Sequence, residues 1–191
     1  MSKGRLEAFS DAVIAIAITI MVLELKVPHG ADWEVLRPLV PVFLTYVLSF
    51  VFLGIYWNNH HHMLHATDRI NGKILWANLH LLFWLSLIPF VTGLMGENHF
   101  APLPTAVYGG VLLLAALAYM MLQTAIVAHH GMDSKLRAAV RKDVKGKLSA
   151  VLYVVAIPLA FANQWIAIGL YVFVALMWLI PDRRIESKVD R

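Results

Sequence analysis

A chain of 191 residues that is 60% hydrophobic and 15% charged, with a mean hydropathy of +0.69, carries too little charge and too many long apolar runs for a water-soluble domain. It contains no cysteine, which excludes disulfides, iron–sulfur clusters and thiolate zinc sites. The net charge of +4 sits in short connections beside apolar runs, so membrane topology explains it better than a nucleic-acid partner does.

A bilayer span needs roughly 20 mostly apolar residues, and the sequence offers six candidates. The first runs from Ala8 to Val27 and ends at Pro28; its length and the charges at its far end mark a permanent span rather than a secretory signal. The second runs from Pro38 to His62, and Arg69, Asn71, Gly72 and Lys73 mark the turn after it. The third covers Ile74 to Met95 with Pro89 late in it, and the fourth Thr105 to Val127. A basic connection, His129 to Lys147, precedes a short fifth span, Leu148 to Ala162. Asn163 and Gln164 then turn the chain into a sixth, Trp165 to Ile180. With both termini in the cytoplasm, fourteen of the sixteen lysines and arginines lie inside and only Lys26 and Arg37 outside, the positive-inside pattern. The reading is an all-α integral membrane protein with six transmembrane helices, folded as one domain over residues 1–191.

Charge at the mouth of the first span is the most informative local feature. Arg5 and Asp11 lie about 240° apart around an ideal helix, so they do not share a face and each needs another partner. Farther along that helix, Ile16, Thr19, Ile20 and Leu23 fall on one face. Such a stripe is either helix-packing surface or an apolar pore constriction that gates by dewetting. Thr19 has a plain alternative, a bond to its own helix backbone.

The second span ends in Trp57-Asn58-Asn59-His60-His61-His62-Met63-Leu64-His65. His61 and His65 share a face as a zinc or haem site would require, but no acidic or thiol ligand accompanies them. His60 is placed to donate to Asp11 and tie the second span to the first, or else to face solvent. Asn78, early in the third span, is expected to bond across helices. Glu24, at the outer end of the first span, either attracts cations or is simply solvated. No nucleophile–base pair, phosphate-binding glycine loop or TVGYG-type filter is present.

Taken together, Arg5-x-x-x-Phe9-Ser10-Asp11 at the start of a first span, Trp57-x-x-His60 at the end of a second, and Asn78 with Pro89 in a third resemble the lysosomal and endosomal potassium channels of the transmembrane protein 175 family, in their single-repeat prokaryotic form. The resemblance covers nearly the whole chain. It implies a potassium-permeable channel of a prokaryotic plasma membrane, without a cofactor or metal and not an enzyme. Its partners would be monovalent cations, membrane lipids and three further copies of itself. The family's central pore is lined by the first helix of each subunit. By distance from Asp11, the resemblance assigns the hydrophobic constriction to Ile16, Ile20 and Leu23 and potassium preference to Thr19. It assigns Arg5, Phe9, Ser10, Asp11, Trp57, His60 and Asn78 to a network that holds the first helix. Two other classes stay open: a proton-coupled secondary transporter using Asp11 or His60, and a haem- or metal-binding membrane enzyme using His60 to His65.

Overall fold

A computed structural model describes residues 2–30, 32–65, 67, 69–130 and 143–179. The structure is entirely helical among these residues: α1 (Lys3–Leu23), α2 (Trp33–Leu36), α3 (Val40–His65), α4 (Gly72–Ser86), α5 (Ile88–Glu97), α6 (Pro102–His130), α7 (Val144–Ala162) and α8 (Gln164–Leu179), with a single 3-10 turn at Arg37–Leu39 leading into α3. Among the described residues, five segments are long and apolar enough to cross a bilayer, with α4 and α5 together forming one of them. The sixth apolar helix, α8, has 16 residues. This is an all-α, multi-span membrane protein. Most of the expected basic connection, and the charged end beyond Leu179, lie outside the described residues.

Two boundaries differ from the sequence expectation. Helix α1 begins five residues earlier, at Lys3, and ends at Leu23 instead of Val27. The apolar run continues past Leu23, but Pro28 disfavours helical backbone before it and Glu24 closes the last turn. The third span is broken at Leu87, whose N–H reaches back only to the Trp84 carbonyl. Pro89 is the cause: it has no N–H to bond the Leu85 carbonyl, and its ring crowds that carbonyl. Helix α5 therefore starts afresh, with proline in its first turn, where a missing donor costs nothing.

Helix α6 is the hub and packs against α4, α5, α7 and α8. Lipid is as apolar as leucine, so helix association inside a bilayer depends on close packing and hydrogen bonds rather than on hydrophobic burial. The contacts reflect this. Ala115 and Ala118 on α6, Ala156 and Ala160 on α7 and Ala167 on α8 are all fully buried. A Cβ on Gly109 would lie 2.0 Å from the Tyr171 hydroxyl, and one on Gly96 would lie 2.8 Å from the Val42 backbone. Both glycines therefore let neighbouring helices approach. The α7–α8 hairpin is closed by Trp178 Nε1, which donates to Ser149 Oγ at 2.9 Å, and by Lys145 Nζ on the Met177 carbonyl at 3.2 Å. Helix α1 packs on α3, α4 and α5, at the edge of the bundle.

Candidate functional site: an edge helix with one face anchored

Helix α1 has two unlike faces. Leu6, Ser10, Ile14, Ala17 and Met21 recur every three or four residues and are buried against the bundle. The other face carries the expected constriction residues: Ile16 is 57% exposed, Ile20 42% and Leu23 78%. Thr19 lies among them, exposed, and its hydroxyl donates to the Ala15 carbonyl one turn back. Four residues expected to share a face thus share one that the chain itself leaves uncovered. Below them the uncovered surface continues with Ala8, Ala12 and Ala15.

The anchored face is held by directed polar contacts. Asn78 Nδ2 donates to Ser10 Oγ at 3.0 Å, and Ser10 Oγ donates to the Leu6 carbonyl at 2.8 Å. This fixes the amide, so Asn78 Oδ1 is the acceptor that faces His60 Nε2 at 2.7 Å. Nε2 must then carry the proton. All three side chains are buried, and none of their fully buried polar atoms lacks a partner. One asparagine therefore joins α1, α3 and α4.

The expected bond from His60 to Asp11 is not formed. Trp57 Nε1 donates to Asp11 Oδ1 instead, at 3.0 Å. His60 points toward α4 and meets Asn78, whereas Trp57, three residues earlier on α3, faces α1. A second tie is made by Lys3 Nζ, which donates to the His65 carbonyl at 2.9 Å. Lys3 and Asp11 are eight residues apart on α1, and their partners His65 and Trp57 are eight apart on α3, as antiparallel helices of equal rise require. Arg5 and Phe9 are not brought into this network: both are exposed.

The histidines beyond His60 form a column on the outside of α3. The Trp57 and His61 rings stack with centroids 6.4 Å apart, and His61 and His65 stack at 6.1 Å. Among the described residues no group of three His, Cys, Asp or Glu side chains is placed to hold a metal ion.

A second polar chain, which the sequence reading missed, backs the C-terminal half of α1. Ser49 Oγ lies 2.9 Å from Tyr108 Oη and 2.6 Å from Thr92 Oγ1, which is also 2.6 Å from the Ile88 carbonyl. Thr92 Oγ1 touches Met21 Sδ on α1 at 3.8 Å. Hydroxyls from α3, α5 and α6 thus converge, all buried, behind α1. The available signal was the set of lone hydroxyl residues deep in apolar spans, each of which needs a partner in lipid. Just beyond the C-terminal end of α1, Lys26 Nζ pairs with Glu97 Oε1 at 2.9 Å. Its hydrogen bond to Glu97, and that carboxylate's charge, raise the Lys26 ammonium above its ordinary value of 10.5. The raised value means that Lys26 contributes below pH 10.5 and loses that contribution only as pH climbs through the raised value.

With this geometry in place, known proteins identify the chain's kin. The sequence profile described as the endosomal/lysosomal potassium channel TMEM175 matches residues 5–89, from the first arginine of the signature to the proline that breaks the third span. A potassium channel of Chryseobacterium sp. (strain P1-3) is 54% identical over 99% of this chain and 98% of its own length. A potassium channel of Streptomyces collinus (strain DSM 40733 / Tue 365) is 30% identical over 92% of this chain and 91% of its own. The crystal structure of a lysosomal potassium-selective channel TMEM175 homolog from Chamaesiphon minutus matches with a TM-score of 0.80 at 31% identity, covering 93% of this chain and 96% of that one. The chain belongs to the TMEM175 family.

Proposed function

We propose that this chain is one subunit of a potassium-permeable cation channel in a prokaryotic plasma membrane. Four copies surround a pore lined by α1, with six spans per subunit, one domain over residues 1–191 and both termini cytoplasmic. The observation that carries the reading is the two-faced α1: one face fastened by Asp11, Ser10 and Met21, the other apolar and uncovered. Similarity over nearly the whole length to proteins named as potassium channels supports reading that face as pore-lining. Ala8, Ala12 and Ala15 on the uncovered side let copies of α1 come close. Exposed Arg5 and Phe9 would meet the neighbouring subunit or the membrane surface.

The mechanism follows from what a ring of these residues offers an ion. Ile16, Ile20 and Leu23 present no oxygen, so a cation crossing them sheds water without replacement, and the ring conducts only when widened or wetted. Thr19 differs. Its proton is committed to the Ala15 carbonyl, so its oxygen lone pairs face away from its own backbone. Four such oxygens can replace part of an ion's hydration shell, which makes Thr19 the candidate for selectivity. Asp11, Ser10, Trp57, His60 and Asn78 hold the helix and do not touch the ion.

The test is current through purified protein in planar bilayers with potassium opposed by sodium. Discrete openings that reverse on the potassium side are expected, and silence together with saturable, proton-dependent uptake in vesicles would overturn the reading. That second outcome defines the alternative, a proton-coupled secondary transporter. The break at Leu87 is the feature it would use, because transporters build their sites at interrupted helices.

A further inference from the structure

A groove runs between the first two turns of α4 and the last turns of α6. Lys73, Asn71 and His129 stand at its mouth, Ala77, Ala125 and Ala128 line its walls, and no carboxylate lines it among the described residues. Trp76 forms its lip and is 75% exposed. Lys73 is exposed, and so is Arg69, four residues earlier in the connection before α4. Asn71 is spoken for: its Oδ1 caps α4 by accepting from the Ile74 N–H at 2.9 Å, so its Nδ2 donates to His129 Nδ1 at 3.0 Å. That bond pins the end of α6 to the start of α4 and keeps the mouth open beside Lys73. The three alanines leave a slot that larger side chains would fill. From Lys73 to His80, which lines the deep end, the groove descends about 10 Å into the membrane.

We propose that this groove seats an anionic glycerophospholipid, with its phosphate at Lys73 and one acyl chain in the slot beside Trp76. A water-soluble anion would use only the mouth, and a neutral lipid only the slot. Lipid alone supplies both a negative phosphate at interface depth and a chain below it. Basic pockets between spans on the cytoplasmic side recognise such head groups, and a tryptophan at that depth belongs to the interfacial belt. The assignment to the inner leaflet rests on the proposed orientation; the binding itself does not, and it is measured without any current.

The whole protein, purified in detergent, is offered phosphatidylglycerol and phosphatidylcholine and read by native mass spectrometry and by quenching with brominated forms of each lipid. Preferential retention of phosphatidylglycerol is expected, together with a tryptophan quenching component that disappears in Trp76→Phe. Removing one lysine charge, Lys73→Gln, should lower the preference about fivefold, and Lys73→Arg should restore it in a protein of unchanged elution. Equal retention and quenching by the two lipids would mean ordinary annular lipid and would overturn the proposal. So would absence of Trp76 quenching, which would indicate a second copy covering the groove. Displacement of the lipid by millimolar inorganic phosphate would also overturn it, in favour of a simple anion site. Failure of any of these leaves the channel reading intact, because no arm depends on conduction.

Discussion

Asn78 satisfies two buried partners on two other helices at once. Truncating it leaves His60 Nε2 without its acceptor in a buried interface, while the Ser10 hydroxyl keeps its bond to the Leu6 carbonyl, and a buried polar group left unpaired costs about 1–3 kcal/mol. Asn78→Ala should therefore lower the unfolding midpoint in detergent by more than a surface substitution such as Thr124→Ala, measured by temperature-dependent size exclusion. The asparagine was legible in the sequence because an amide in lipid has few other uses. The partner of Asp11 was not, because periodicity along α3 tells which residues share a face and not which helix that face meets. On the uncovered side of α1, Ile20→Asn adds polar atoms where the proposed ring has none. Larger single-channel conductance and a smaller shift of reversal potential toward potassium are expected in bilayer recordings. Unchanged values would remove Ile20 from the constriction.

At the scale of elements, two devices set how the helices meet. Gly109 admits the Tyr171 hydroxyl, which donates to the Thr105 carbonyl at 3.1 Å. Gly109→Ala places a methyl group inside that contact, and overpacking of this kind costs about 1–3 kcal/mol. Tyr171→Phe should rescue it only in part, because the ring carbon that bears the hydroxyl would still lie 2.8 Å away; a double-mutant cycle on thermal stability measures the coupling. The second device is the hydroxyl chain through Ser49, Thr92 and Tyr108 behind Met21. Thr92→Val keeps the shape but removes the shared oxygen, and a stability loss of about 1 kcal/mol is expected. Five of the apolar helical segments were plain in the sequence because each is a run of apolar residues about as long as a bilayer is thick, whereas α8, with 16 residues, falls short of that length. The break at Leu87 was harder to see, since Pro89 acts on a carbonyl four residues earlier and the apolar run continues without interruption across it. The shift of α1 has a similar origin: hydropathy marks where lipid is tolerated, whereas helix ends are set by Pro28 on one side and by the polar first turn on the other.

For the whole molecule, the polar anchors hold one side of α1, and the surface left over is mainly apolar, with Thr19 and Arg5 its polar exceptions. A single helix cannot enclose a pathway, so that surface needs either lipid or further copies of the same helix. The proposal chooses copies, and Asp11→Ala should accordingly weaken the assembly or abolish current, a well-assembled variant with normal currents being the adverse result. The chain's lack of cysteine gives a background-free way to separate the two choices. Single variants Ile20→Cys and Leu23→Cys, with Phe173→Cys on the exposed side of α8 as control, would be recorded in bilayers before and after a cationic, water-soluble thiol reagent is applied. Current is expected to fall in Leu23→Cys and Ile20→Cys and to stay unchanged in Phe173→Cys. Unmodified currents in both α1 variants, with their thiols reached only by a lipid-soluble reagent, would place that face in lipid and contradict the account.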